Sequence, residues 1–118
     1  MGASYKDLVV WQRGMELSAQ VYGFTSAFPR SEQFGLTNQL RRASVSIPSN
    51  IAEGFGRCTK GEFLQFLGHA RGSNCELQTQ LILSETLGFG SKEQRDTAEH
   101  LSADVSRLVI ALMKKLKE

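Results

Sequence analysis

Leu36, Leu40, Ala43, Ile47 and Ile51 recur at steps of four, three, four and four, the spacing that puts apolar side chains on one face of a 3.6-residue helix. The pattern runs through Pro48 without a break. Proline has no N–H for the carbonyl four residues earlier, here Ser44, and its ring crowds that turn. The spacing therefore predicts a helix over 35–57 that is kinked at Pro48. A proline inside a helix costs about 3 kcal/mol, so packing or function must offset it. Ser44, Ser46 and Ser49 flank the position and are the hydroxyls at hand for the freed carbonyl. Gly54 and Gly56 loosen the end of this helix.

Upstream, two apolar stripes share a helix over 8–28. Trp11, Met15, Ala19 and Tyr22 form one; Leu17, Val21, Phe24 and Phe28 form the other. Together they are wider than a single core-facing stripe. Either the helix is sandwiched within its own bundle or one face packs on another subunit, with Leu17, Val21 and Phe24 as the residues assigned to that interface. Pro29 ends the helix. After residue 57, Thr59-Lys60-Gly61-Glu62 has the spacing of a capping box, opening a helix over 60–87 with Phe63, Phe66, Leu67, Ala70, Asn74, Leu77 and Leu81 on one face. Gly88 and Gly90 stop it. Ser91 to Gln94 is a second capping box, and Leu101, Val105, Leu108, Leu112 and Leu116 form the seam of a helix over 92–117. Lys114, Lys115 and Lys117 fall in its last turn, where cations oppose the negative helix end. No strand-like alternation interrupts these patterns. The expected fold is all-α: one domain over 1–118, an antiparallel up-down-up-down four-helix bundle.

Composition agrees with one self-sufficient core: 118 residues, 41% hydrophobic and 22% charged. No run is long and apolar enough to span a bilayer, so no membrane partner is expected. The first residues lack the charged-then-apolar pattern of a secretory leader. Lys6 stands where the myristoylation pattern needs Ser or Thr. Cys58 and Cys75 show neither CxxC nor paired-His spacing and are expected to be free thiols. His69 and His100 are isolated. No metal site or cofactor is expected.

The search for catalytic chemistry returns little. GxSxG, HExxH, phosphate-binding glycine loops and dinucleotide fingerprints do not occur. Di-iron bundles need Glu-x-x-His, but Thr79 follows Glu76 at that spacing and Ser102 follows Glu99. The expectation is a non-enzyme with no small-molecule substrate. Beside the apolar face of the second helix runs a polar stripe of Arg42, Ser46, Asn50 (or Ser49) and Glu53, read as structural. If helices two and three turn near Thr59, facing residues have numbers summing to about 118. Arg42 and Glu76 fit, which predicts a partly buried ion pair fixing register. Gly68 and Gly72 make a flat spot on helix three that admits another helix.

Net charge is +2, from 14 basic and 12 acidic residues, so nucleic-acid binding depends on where the cations lie. Arg41, Arg57, Lys60 and Arg71 are the candidates. Arg41 projects about 100° from Arg42 around the helix and is the more outward of the two. One subunit offers few cations; a ring of subunits multiplies them.

Three segments carry a resemblance: DLVVWQRGMELSAQVY at 7–22, FGLTNQLRRASVSIPSNIAEGFGR at 34–57 and EFLQFLGHARGSNCELQTQLILSETLG at 62–88. They resemble the four-helix-bundle proteins encoded in bacterial 23S rRNA intervening sequences, with RRASVSIPSNIAEG the most specific stretch. The resemblance implies a bacterial, cytoplasmic protein that assembles as a homopentamer. That family in turn looks similar to the accessory variability determinant of diversity-generating retroelements, a pentameric barrel that binds nucleic acid. Two expectations follow. One is an oligomer that contacts RNA or DNA phosphates; the other is a protein–protein scaffold built on the apolar face of helix one and the Gly68/Gly72 flat.

Overall fold

A computed structural model describes residues 4–118 of the chain. Its four long helices are α1 (Val9–Thr25), α2 (Leu36–Phe55), α3 (Lys60–Leu87) and α4 (Lys92–Lys117), with 3-10 turns at Tyr5–Asp7 and Arg30–Glu32. No strand occurs among the described residues. Each helix packs on its neighbour in sequence, and α4 closes back onto α1. The bundle measures 44 × 23 × 20 Å. At about 1.5 Å per residue, the 28 residues of α3 nearly fill the long axis.

The ends of the helices obey the local chemistry. Thr59 Oγ1 accepts from the Glu62 N–H at 3.1 Å, and Ser91 Oγ accepts from the Gln94 N–H at the same distance. Gly88, at φ 75°, ends α3 in the left-handed conformation that favours glycine. The first helix stops at Thr25, three residues short of the predicted end. Phe28 nonetheless stays in the core, stacked edge-on against Phe24 at 5.0 Å.

Helix α2 runs unbroken through Pro48. The carbonyl of Ser44 finds its donor outside the helix: the Ser18 hydroxyl on α1 lies 2.9 Å away. None of the flanking serines does this. Ser44 turns its hydroxyl to the Arg41 carbonyl, and Ser46 bonds across to Ser73. Gly14, buried on α1, lets the two helices meet here, since a Cβ on it would touch Pro48 Cβ at 3.4 Å. Gly54 has a similar task and does not merely loosen a terminus. It is buried within α2, and a Cβ there would fall 2.6 Å from Phe66 Cβ, so its bare backbone is what α3 packs against.

The two stripes of α1 divide in one way. Leu17, Val21 and Phe24 are 0% exposed within their own bundle and cannot form a surface for another subunit. The width of the apolar face arises because Trp11, Met15 and Tyr22 continue around to the outside. Met15 and Tyr22 are nearly half exposed. Periodicity marks both stripes as apolar but does not say which one the other three helices cover. Gly68 and Gly72 face outward, with nothing within 4 Å of a Cβ placed on either.

A polar layer crosses the core between α3 and α4. Asn74 Nδ2 donates to the Ser102 carbonyl at 2.9 Å, the Ser102 hydroxyl donates to Asn74 Oδ1 at 2.7 Å, and Gln78 Nε2 donates to Ser102 Oγ at 2.9 Å. Asn74 and Ser102 are both buried. Asymmetric polar pairs of this kind fix register, because any slip leaves them unsatisfied.

Candidate nucleic-acid interface

The first half of α2 carries Arg41 and Arg42 on adjacent faces, and Arg42 rather than Arg41 is the more outward: Arg42 is exposed, while Arg41 is half-buried against the end of α1. Arg41 lies over the Tyr22 ring, its guanidinium carbon 4.5 Å from the ring centroid. Its Nε donates to Thr25 Oγ1 at 2.8 Å, while that hydroxyl donates to the Val21 carbonyl at 2.8 Å. A cation also suits this place electrostatically, at the negative end of α1. The guanidinium plane is thus held by a stack and a hydrogen bond, ordering paid for within the fold rather than on binding.

Two shallow clefts meet at this arginine. One, of about 470 Å³, is walled by Tyr22, Asn38, Arg41, Arg42, Val45 and Ser46. The other, of about 410 Å³, is bounded by the connection between α1 and α2 and includes Thr25, Arg30, Thr37 and Arg41. Neither has an acidic lining residue. Arg30 and Arg41 line one of these clefts and Arg41 and Arg42 the other, while Arg42 also borders a third cleft that holds Glu76. Arginine's planar donor fork suits phosphate oxygens, and an aromatic face beside it suits an unpaired base.

The other sequence candidates lie elsewhere. Arg57 Nη2 pairs with Glu53 at 2.9 Å and its Nη1 approaches Glu62 at 3.7 Å, with the guanidinium 4.9 Å from the Phe66 centroid. Two carboxylates therefore offset its charge, and Glu53 belongs to that cluster rather than to the helix–helix seam. At about 1.5 Å per residue Arg57 sits some 24 Å along α2 from Arg41. Lys60, the first residue of α3, lies at that same end and is exposed. Arg71 is exposed on α3. The helix register, in which Ser46 faces Ser73 at 2.9 Å, puts Arg71 roughly 9 Å along the axis from the level of Arg42.

That register agrees with the pairing rule, yet the predicted Arg42–Glu76 ion pair does not form. Both side chains are exposed and flank a separate cleft without closing to ion-pair distance. The inward positions at this seam belong to Ser46, Asn50 and Ser73, whose short side chains bond to one another: Asn50 Nδ2 donates to Ser46 Oγ at 2.9 Å and to the Ser46 carbonyl at 2.8 Å. Serine pairs draw the helices closer than an arginine–glutamate pair would, which leaves the long side chains outside.

Sequence reasoning passed over Arg30 and Tyr22. Arg30 follows Pro29 in a connection without periodicity, and Tyr22 counts as one more apolar position of α1. The available signal was an aromatic on the outer stripe of α1 near in sequence to a proline-anchored arginine, but only the α1–α2 packing places both beside Arg41.

No group of three His, Cys, Asp or Glu side chains among the described residues could hold a metal ion. Cys58 and Cys75 are free and exposed. No helix among the described residues is long and apolar enough to cross a membrane.

Comparison with known proteins adds the following. No curated protein matches the chain. A crystal structure from Bacteroides thetaiotaomicron, described as a protein of unknown function from the S23 ribosomal protein family, superposes with a TM-score of 0.80 at 23% identity. The match covers 90% of this chain and 99% of that one, and it establishes the shared four-helix fold. The family model described as 23S rRNA-intervening sequence protein matches residues 6–111. The chain belongs to the 23S rRNA-intervening sequence protein family.

Proposed function

We propose that the protein is a non-enzymatic, oligomeric nucleic-acid-binding protein that holds RNA or DNA by its phosphates. The observation that carries this reading is the pair of clefts that meet at Arg41, lined by Arg30, Arg41 and Arg42 with no acidic residue in either wall. A net charge of +2 makes one copy a weak binder, because phosphate affinity grows with the number of cations engaged together. Repetition around a homopentamer multiplies the surface fivefold. Arg71, exposed on α3, extends the basic surface.

Support for self-association comes from the apolar residues left outside the bundle. Val9, Met15 and Val45 are exposed on α1 and α2, and Ile82, Leu83 and Leu87 on the far end of α3. A groove of about 300 Å³ lined by Tyr5, Trp11, Met15, Val45, Pro48 and Ala52 runs beside them. Apolar surface of this extent is what a second copy covers. The same surface would serve a scaffold that binds other proteins and no nucleic acid.

Fluorescence anisotropy with a labelled structured RNA, at about 50 and 200 mM salt, separates the two readings. Phosphate contacts give micromolar binding that collapses at the higher salt. An intact oligomer that binds nothing at low salt supports the scaffold.

A further inference from the structure

The cleft between Arg42 and Glu76 is lined entirely by polar side chains. Asn38, Gln39 and Arg42 reach in from α2, Glu76 and Gln80 from α3, around about 310 Å³, near the lower end of ligand-sized sites. Asn50 on α2 is tied to Ser46, and Asn74 and Gln78 on α3 to Ser102. The side chains of Asn38, Gln39 and Gln80 make no such bond among the described residues, and neither does the buried Thr37 Oγ1 on α2. Arg42 and Glu76 form no ion pair among the described residues, and Gln80, only 8% exposed, has its Oε1 buried without a hydrogen-bond partner.

The cleft also adjoins the arginine surface. Asn38 and Arg42 belong to the walls of both. A phosphate held at the Arg41 cleft therefore lies beside a second cleft that shares two of its wall residues.

We propose that this cleft is a nucleobase subsite selective for guanine in unpaired nucleic acid. The assignment follows from donor and acceptor matching. An ionised carboxylate only accepts, and guanine offers it two adjacent donors, N1–H and the exocyclic N2–H. On the opposite edge, guanine O6 and N7 accept from an arginine fork. Adenine presents a ring-nitrogen acceptor at the position that would face Glu76, and cytosine likewise; uracil offers a single N–H between two carbonyls. Asn38, Gln39 and Gln80 supply amides for the remaining edge. Readout of unpaired bases through such edges is how proteins select sequence in single strands.

This inference rests on the phosphate-binding reading, and its test keeps the two apart. The probes are GMP and AMP, titrated into the isotopically labelled protein and followed by NMR. GMP is expected to bind about tenfold or more tightly than AMP, shifting the side-chain amide signals of Asn38, Gln39 and Gln80. Glu76 is exposed, so Glu76→Gln folds normally; it should bring the two affinities to within about twofold. Equal binding of GMP and AMP by the wild-type protein, or a GMP preference that survives Glu76→Gln, overturns the guanine site. RNA that still binds in that case leaves the phosphate reading standing. Selective GMP binding without any RNA binding sustains the site and ends the phosphate reading.

Discussion

The Ser18 hydroxyl on α1 lies 2.9 Å from the carbonyl oxygen of Ser44 on α2, the carbonyl that Pro48 leaves without a helical partner. The same hydroxyl is 3.0 Å from the Gly14 carbonyl of its own helix, so one proton serves two acceptors at the closest approach of the helices. Removing it by Ser18→Ala leaves a buried carbonyl unpaired and should cost about 1–3 kcal/mol. In a Pro48→Ala background the restored N–H of residue 48 takes the Ser44 carbonyl, and Ser18→Ala should then cost well under half as much. Chemical denaturation of the four proteins gives the coupling. Additive costs would show that Ser18 does not serve the proline.

The glycines of α2 and α3 should respond in opposite directions. Gly54→Ala puts a methyl 2.6 Å from Phe66 Cβ and should destabilise the fold by roughly 1–3 kcal/mol. Gly68→Ala and Gly72→Ala meet open space and should each stabilise the subunit by about 0.5–1 kcal/mol, the usual gain from removing glycine in a helix. Light scattering on the same variants tests the expectation that these two glycines form a subunit contact. Assembly unchanged by both alanines would place the contact elsewhere.

Asn74→Ala strips Ser102 of both its acceptor at 2.7 Å and the donor to its carbonyl. A loss of about 2–3 kcal/mol is expected from urea denaturation. Asn74→Leu recovering wild-type stability would mean that the polar layer adds specificity without net stability.

Arg42→Ala should shift stability by less than about 0.5 kcal/mol, since Arg42 is exposed and unpaired across the seam. A sharp fall in melting temperature would instead favour a buried Arg42–Glu76 pair.

Much of the architecture is legible in the chain because it depends on local rules. Helix periodicity, two capping-box spacings and the glycine at 88 place all four helices within about three residues of their ends, and the antiparallel pairing rule finds the α2–α3 register that Ser46 and Ser73 confirm. The errors concern direction around a helix axis. Leu17 and Met15 are both apolar on α1, and only the positions of the other helices decide that Leu17 is interior and Met15 is at the surface. Arg42 and Glu76 stand at facing levels but point outward because serines take the inner positions. Arg57 looks like a free cation until Glu53 and Glu62 are seen beside it. The arginine cleft depends on a connection, 26–35, that carries no periodic signal.

The most direct test of the account is RNA affinity at about 50 mM salt for two variants of equal charge change: Arg30/Arg42→Ala, which removes one exposed cation from each of the two clefts that meet at Arg41, and Arg57→Ala with Lys60→Ala, which removes two cations at the opposite end of α2. The cleft variant should bind at least tenfold more weakly, with a shallower dependence on salt, while the other loses about threefold or less. Equal losses in both, or the larger loss at Arg57 and Lys60, would contradict the assignment of the nucleic-acid surface to Arg30, Arg41 and Arg42.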